Sequence, residues 1–544
     1  MLRRELTPLS VNDDPESVYR ASISSTSGNG DSVMSMRFQQ LALILGAAMV
    51  IFLGSRVCNR LLAQVAPPPA PGTELTFPAQ PAGNDQAPAG SQTGPEVLTR
   101  GPVHEAFAEV ISYNPQPGPI VPKEPPKVIE EVPPAEKPEG NYTWIPGYWA
   151  WEQDRENFIW VTGAWRMAPP GTTWVPGYWN QAANGHQWIG GYWGPAANPA
   201  TNPAAANAAA ETVYFPAPPQ SVESGASSPA PSADHFWVPG YWSWVNGQYA
   251  WQAGHWGRCQ PDWVWIPARY AWTPGGYVFL AGHWDYTLAK RGVVFCPVYY
   301  ANPYYIAPTY YYTPSVCIET PVLTGYLFCR PAYGHYYFGD YYDPMYARVG
   351  IYPWYAVHDG RFGYEPLFVY DRWYYGRRDP GWELRLHRDF EYRVAHIDAR
   401  PPHTYAAALR IDVGGSGVRF TLAVPIAHVA ARGGAMHFEH LSAERREQFV
   451  HAQHEMRQVQ NERRNVEIRA NNQARAGGGQ PVRMNTSAMT TSHQPADTAA
   501  HAATGQTNAP GGAAPRTTNT AKPRKPETTN KGRTPRDREK EGGR

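Results

Sequence analysis

The sequence predicts a mainly β chain of tandem short antiparallel hairpin repeats, with one long C-terminal helix and extensive disordered linkers. Three observations predict it. The pattern Trp-x-x-Gly-x-Trp, or a decayed copy, recurs eight times between Trp144 and Trp284, a stretch that holds 18 of the 21 tryptophans. Turn-forming pairs such as Pro146-Gly147 and Asn246-Gly247 punctuate that stretch. Ser442 to Ala470 carries apolar residues at helical spacing. A fixed period means one small unit copied in series, which favours a repeat-built scaffold over a single-pocket enzyme.

Full copies start at Trp144, Trp160, Trp174, Trp188, Trp237 and Trp251. Trp265 opens a copy with Ala268 in place of Gly and Tyr270 in place of the second Trp, and Phe279 opens the last, which ends at Trp284. The expected ladder is therefore Trp144, Trp149, Trp160, Trp165, Trp174, Trp179, Trp188, Trp193, Trp237, Trp242, Trp251, Trp256, Trp265, Tyr270, Phe279 and Trp284.

Spacings of 5 and 9 alternate along most of it. At Asn246-Gly247 the 9-spacing reads as a hairpin, because a type I′ turn needs positive φ at both positions. Trp244 then faces Tyr249 and Trp242 faces Trp251. Pro169-Pro170, Ala183-Asn184, Gln260-Pro261 and Pro274-Gly275 are similar turn candidates, and the wider step at Asp154-Arg155 pairs Trp151 with Phe158. The 5-spacing wraps Pro146-Gly147, Thr162-Gly163, Pro176-Gly177, Gly190-Gly191, Pro239-Gly240, Ala253-Gly254 and Ala281-Gly282. Pro-Gly fits a type II turn, which matches hairpin twist poorly, so corners compete here with flat hairpins. The expectation is a meander of five-residue strands with an aromatic ladder on one face. Each block closes on itself, or the two stack as a sandwich.

Trp144-Ile-Pro-Gly-Tyr-Trp149 and Trp237-Val-Pro-Gly-Tyr-Trp242 resemble the WXXGXW (also written YXWGXW) repeat proteins of bacterial envelopes. The resemblance covers roughly residues 142–285 and implies an exported bacterial protein. It carries over no functional residue.

The remaining organisation follows from composition. Residues 1–63 read as a polar head plus a signal peptide or signal anchor. Leu41 to Gly54 is an uninterrupted apolar run of 14 flanked by Arg37, Arg56 and Arg60, shorter than the ~20 residues of a spanning helix. Met34 or Met36 is an alternative start, Ala63 a cleavage position, and Cys58 a poor lipoprotein acceptor. Residues 64–141 read as a Pro-rich disordered tether, 142–194 as the first Trp block, 195–234 as a linker and 235–285 as the second block.

Residues 286–440 read as a loop-rich domain poor in helix and strand, since 20 of the 34 tyrosines lie between Pro297 and Tyr375. Within it, 404–430 reads as two alternating strands around Gly414-Gly415-Ser416-Gly417, without the Lys-Ser/Thr of a phosphate loop. Residues 441–472 read as a charged amphipathic helix capped by Ser442, with a thin seam of Phe449, Ala452, Met456, Val459, Val466 and Ala470 interrupted by Arg463. It docks on the preceding domain or pairs weakly as a coiled coil. Residues 473–544 read as a disordered basic tail.

Cys259, Cys296, Cys317 and Cys329 remain if the leader is removed, and in an exported chain they allow two disulfides in three connectivities. Buried free thiols are the alternative. The formal net charge of +1 gives no field to recruit a charged partner, and no specific nucleic acid is expected. No nucleophile elbow, His-Glu-x-x-His, Walker loop or framed carboxylate pair occurs, so no catalytic, cofactor-binding or metal-binding residue is expected. His255 and His283 share a motif position with Tyr148, Tyr178, Tyr192 and Tyr241, which marks a structural, half-exposed site.

The leading functional expectation is an exported, envelope-associated, non-enzymatic scaffold or adhesion protein. The alternative is a carbohydrate- or peptidoglycan-binding module with exposed Trp and Tyr. A hydrolase within 297–440, where Glu365 and Asp371 flank tyrosines, ranks third. The expected partners are cell-wall glycan, another envelope protein, and the membrane through an uncleaved N-terminal segment.

Overall fold

A computed structural model describes residues 94–196, 211–357, 363–413, 422–434, 436–477 and 479–486. The apolar run 41–54, the glycine-rich stretch at 414–417 and the tail beyond 486 lie outside them. All described residues fall in one compact unit, Pro68–Arg544.

The repeats form four modules, each of four short strands and each built from two motif copies. Module 1 contains Tyr142–Ile145, Tyr148–Glu152, Asn157–Val161 and Ala164–Met167. Module 2 contains Thr172–Val175, Tyr178–Ala182, Gly185–Ile189 and Tyr192–Pro195. Module 3 contains His235–Val238, Tyr241–Val245, Gln248–Gln252 and His255–Arg258. Module 4 contains Trp263–Ile266, Arg269–Thr273, Gly276–Leu280 and His283–Tyr286.

In every module the two inner strands make a hairpin and the two outer strands pair with each other. Trp149 lies opposite Trp160 and Trp144 opposite Trp165. Trp179 pairs with Trp188 and Trp174 with Trp193. Trp242 pairs with Trp251 and Trp237 with Trp256. Tyr270 pairs with Phe279 and Trp265 with Trp284. Six of these eight pairs have ring planes 60–77° apart and centroids 5.1–5.4 Å apart, the edge-to-face geometry that the ring quadrupole favours. Asn246 and Gly247 have φ of 51° and 81°, as the type I′ turn requires.

The expected meander does not form. At each five-residue step the chain leaves one ribbon at the Gly corner and enters the other, so consecutive strands across a corner do not pair with each other. The Pro-Gly corners do not form the expected type II turn, since Gly147, Gly177 and Gly240 do not take the positive φ it requires. Pro169-Pro170 and Gln260-Pro261 are likewise links between modules, and the strands on either side do not pair with each other.

Segments read as linker supply edge strands. Residues 94–140 do not form a free tether: Leu98, Val103, Phe107, Val110 and Ile129 are buried. Ile120–Val121 adds to module 2, and Glu96–Val97 pairs with Val298–Tyr299, which itself adds to module 1. Glu211–Phe215, within the predicted linker, pairs with module 4 on one side and with Val482–Asn485, within the predicted tail, on the other. The physical reason is that open ribbon edges present unpaired N–H and C=O groups, which these strands satisfy.

The Tyr-rich region holds more helix than composition indicated. Pro366–Gly376, Trp382–Ala395, Tyr405–Val413 and Ile426–Arg432 are helical. The strand predicted at 409–413 is instead part of helix Tyr405–Val413, which buries Ala408 and leaves Leu409 exposed. Phe328, Trp354, Phe368 and Phe390 centre the largest core cluster, which also takes Phe236, Val238, Val264 and Ile266 from modules 3 and 4.

Helix Ala443–Ala476 starts at Ser442, whose Oγ accepts from the Arg445 N–H at 3.3 Å. Phe449 packs on Trp165 with centroids 5.0 Å apart. Met456 joins Ile145, Trp174 and Trp193, and Val459, Val466 and Ala470 join Tyr192, Val278 and Leu280. The seam thus docks on modules of its own chain. Arg463 sits within it at 0% exposure, its guanidinium bound to Glu467 Oε1 at 2.7 Å and to the carbonyls of Pro176 and Gly190 at 2.8 and 2.9 Å.

Candidate functional site

The module corners explain why the motif needs glycine. In module 1 a Cβ on Gly147 would fall 2.8 Å from Trp160 Nε1, and one on Gly163 would fall 2.6 Å from Trp144 Cζ2. Each copy's glycine is the floor on which the other copy's first indole lies. The same reciprocity joins Gly177 with Trp188, Gly191 with Trp174, Gly240 with Trp251 and Gly254 with Trp237, at 2.3–2.6 Å. Such separations exclude any side chain. In module 4 a Cβ on Gly282 would fall 2.7 Å from Trp265 Cζ2. Ala268 takes the motif position of the partner glycine, and Phe279, which pairs with Tyr270, takes that of the second copy's first Trp with a smaller ring.

Between paired corners sits a carboxylate. Glu131, fully buried, accepts from the Trp160 indole at 2.7 Å, Gly147 N–H at 2.9 Å and Gly163 N–H at 3.1 Å. Glu105 accepts from Gly191 N–H at 2.9 Å and the Trp188 indole at 3.2 Å in module 2. Glu223 accepts from the Trp237 indole at 3.0 Å and from Gly240 N–H in module 3. Burial pushes the Glu131 carboxyl up to about 7, against the pull of the Trp160 and glycine donors. Burial also pushes Glu105 up, but His335, the Gly191 N–H and His104 outweigh it and hold its carboxyl below the usual range. The Trp265 indole N–H of module 4 is buried without a partner, as are those of Trp144 and Trp165 in module 1.

A cleft of about 180 Å³ opens where modules 1, 2 and 4 meet the Tyr-rich region. Trp151, Trp179, Trp188 and Trp272 line it together with Tyr148, Tyr337, Arg330 and His335. Tyr148 stacks on Trp188 with centroids 4.7 Å apart and planes 12° apart. On its wall the Arg100 guanidinium lies 4.4 Å from the Tyr341 ring centre and 2.6 Å from Asp154 Oδ2. Arg269 and Glu109 form a further ion pair there. Flat rings beside fixed donors and acceptors can hold a polyhydroxylated ligand by stacking and hydrogen bonds.

The predicted residues are distributed unevenly. The ladder of module 1 is closed, with Trp144, Trp149, Trp160 and Trp165 at 0–2% exposure, whereas the Trp ladder residues of modules 3 and 4 are half-buried. The four cysteines are free thiols rather than disulfides. Cys317 Sγ donates to the Val424 carbonyl at 3.3 Å and Cys329 Sγ to the Tyr352 carbonyl at 3.8 Å. Glu365 is fully buried, accepts from Phe368 N–H and the Tyr336 hydroxyl, and caps its helix. Among the described residues no group of three His, Cys, Asp or Glu is placed to hold a metal, and no helix is long and apolar enough to cross a membrane.

Sequence reasoning missed Glu105, Glu131, Glu223 and the Arg463–Glu467 pair. The acids lie in segments whose composition reads as linker, up to 86 positions from their donors. The only signal was an unpaired buried-donor requirement at each Gly corner, which names no acceptor.

Residues 141–166, 172–193, 233–256 and 261–284 match the family model described as WXXGXW repeat (2 copies), one match to each module. No curated protein and no solved structure matches the chain.

Proposed function

We propose that this chain is a non-enzymatic structural scaffold of a bacterial envelope, exported by its N-terminal apolar segment. The observation that carries the reading is the closure of the aromatic ladder in module 1. The four ladder indoles of module 1 are at most 2% exposed, so they serve as core rather than as a stacking platform. The buried ion cluster of Arg166, Asp285 and Arg291 fits the same purpose, because it ties module 1 to module 4 with separations of 2.7 and 2.9 Å. Glu365, the most buried acid of the Tyr-rich region, is committed to a helix cap, which favours a structural over a hydrolytic role. Export rests on the run Leu41 to Gly54 and its flanking arginines.

A second reading, carbohydrate binding, is favoured by one observation: the cleft's rings stand beside Arg330 and His335. Iodide quenching of Trp fluorescence, with and without purified cell-wall glycan, separates the two. The scaffold reading expects weak quenching that glycan leaves unchanged. Strong quenching suppressed by glycan, and lost in Trp151→Ala, would overturn it in favour of the cleft.

A further inference from the structure

Modules 1, 2 and 3 each hold a neighbouring segment of the chain by the same two donations. One motif copy gives its second indole N–H to a main-chain carbonyl of the segment and its glycine N–H to a glutamate of that segment. Module 1 uses Trp149 on the Lys127 carbonyl at 2.8 Å and Gly147 on Glu131 at 2.9 Å. Module 2 uses Trp193 on the Ala106 carbonyl at 3.1 Å and Gly191 on Glu105 at 2.9 Å. Module 3 uses Trp242 on the Gln220 carbonyl at 3.0 Å and Gly240 on Glu223. Both donors belong to the motif, so a module asks its segment for one carbonyl and one carboxylate.

In modules 1 and 3 the segments also share a sequence. A Pro-Pro pair precedes the accepting carbonyl, and the glutamate follows that carbonyl by four or three residues: Pro125-Pro126-Lys127 with Glu131, and Pro218-Pro219-Gln220 with Glu223. Aromatic-lined grooves take such proline-rich segments at low entropic cost. The chain has six runs of Pro-Pro, and two more of them are followed by a glutamate at the same distance. One, Pro133-Pro134-Ala135 with Glu139, is committed elsewhere, since Glu136–Pro138 pairs with Phe438–His440. The other, Pro68-Pro69-Ala70 with Glu74, repeats the spacing of Lys127 to Glu131 and lies outside the described residues.

The two straps are seated differently. Ile129 and Glu131 are buried against module 1, whereas Gln220 is exposed, Val222 is 59% exposed and Glu223 is half-exposed. The strap on module 3 is held by hydrogen bonds more than by buried side chains, so a segment offering the same carbonyl and carboxylate can replace it. Twenty residues separate Glu74 from Gly94, where the described chain begins. A flexible connector of that length spans ~25 Å on average and up to ~66 Å extended. Within one chain it competes with the strap at a similar effective concentration, on the order of millimolar, an advantage that a second copy lacks.

We propose that module 3 docks residues 68–74 of its own chain in exchange for the strap 218–223. The Trp242 indole then bonds the Ala70 carbonyl, and the Gly240 N–H bonds the Glu74 carboxylate. The exchange ties the N-terminal segment to the repeats and frees the strap.

The test is cleavage of the full chain by a glutamyl endopeptidase, with initial rates after Glu74 and Glu223 measured against that after Glu527. Cleavage at a reversibly covered site follows the population of its open form. Two segments competing for one site are linked, so weakening either should cover the other. Glu74→Gln should slow cleavage after Glu223, and Glu223→Gln should slow cleavage after Glu74, each by about twofold or more. Rates that ignore the other substitution would overturn the proposal. So would mutual slowing that grows with protein concentration, which would place the docked segment on a second copy. A second measurement needs no change at either glutamate of the chain. A capped peptide of residues 68–76 at millimolar concentration should shift the Trp242 indole resonance, assigned by its loss in Trp242→Phe, and the Glu74→Gln peptide should bind roughly tenfold more weakly. No shift, or equal binding of the two peptides, counts against the proposal as well. Quenching with glycan decides the scaffold reading and glutamyl cleavage decides this one, so either can fail alone.

Discussion

Gly163 lies beneath the indole of Trp144, so close that a Cβ on it would fall 2.6 Å from Cζ2 of that ring. The relation is reciprocal within the module, since Gly147 lies beneath Trp160. Gly163→Ala must push Trp144, the Ile145 carbonyl or the Glu131 carboxylate aside, and each is buried or fixed by pairing. Overpacking of this kind costs about 1–3 kcal/mol or more. Urea unfolding should show the midpoint falling with little change in slope. An unchanged midpoint would contradict the close approach.

Module 4 offers the complementary experiment. Phe279→Trp alone should destabilise, because the larger ring meets the Ala268 methyl. Adding Ala268→Gly should restore stability. A double-mutant cycle should give a coupling of about 0.5–3 kcal/mol, the range for residues in contact. Strict additivity would show that the two positions do not meet.

Removing the acid from a corner strands its donors. Glu131→Ala leaves the Trp160 indole and the Gly147 and Gly163 amides without their acceptor. At roughly 1–3 kcal/mol for each buried donor left unpaired, this variant should be among the most damaging single changes in the chain. Glu223→Ala should cost less, since Glu223 is half-exposed and water can replace it. Thermal unfolding of the two variants side by side checks the order.

Glu131 also sets a pH dependence. Its folded-state carboxyl is pushed above its ordinary value of 4.5 to about 7, first by burial. The folded chain therefore holds that proton more tightly than the unfolded chain. The stability this proton contributes is full below about pH 4.5 and is lost as pH rises through about 7, at most ~3 kcal/mol. His283, lowered to about 4 chiefly by burial, acts in the opposite sense over nearly the same range. The measurement is therefore the difference between wild type and Glu131→Gln, which keeps His283 in both. That difference should move against the wild type between pH 4.5 and 7, and a flat difference would refute it.

The long helix is held by a buried charge pair. Glu467→Ala leaves Arg463 charged and without its carboxylate at 0% exposure, and deprives the Tyr178 hydroxyl of its acceptor at 2.7 Å. Breaking a buried pair in this way costs about 3–5 kcal/mol. Amide exchange should speed across Ala443–Ala476 and at the module 2 corners, where Arg463 binds the Pro176 and Gly190 carbonyls. Exchange confined to the helix would show that the corners do not depend on Arg463.

The sequence by itself determined the period, the position of the hairpin turn at Asn246-Gly247 and the cap and approximate extent of the long helix. These are local matters: positive φ, a repeated spacing and a 3.6-residue pattern are written within a few residues. Only the tertiary structure decided which strands pair across a corner, because a five-residue aromatic spacing fits a meander and a pair of ribbons equally well. It alone decided that 94–140 and 482–485 are edge strands, since a short strand is stabilised by the ribbon it completes and not by its own composition. It also brought Glu105, Glu131 and Glu223 to the corners and Arg463 into the seam. A buried donor specifies that an acceptor must come, but only the path of the chain decides which acceptor does.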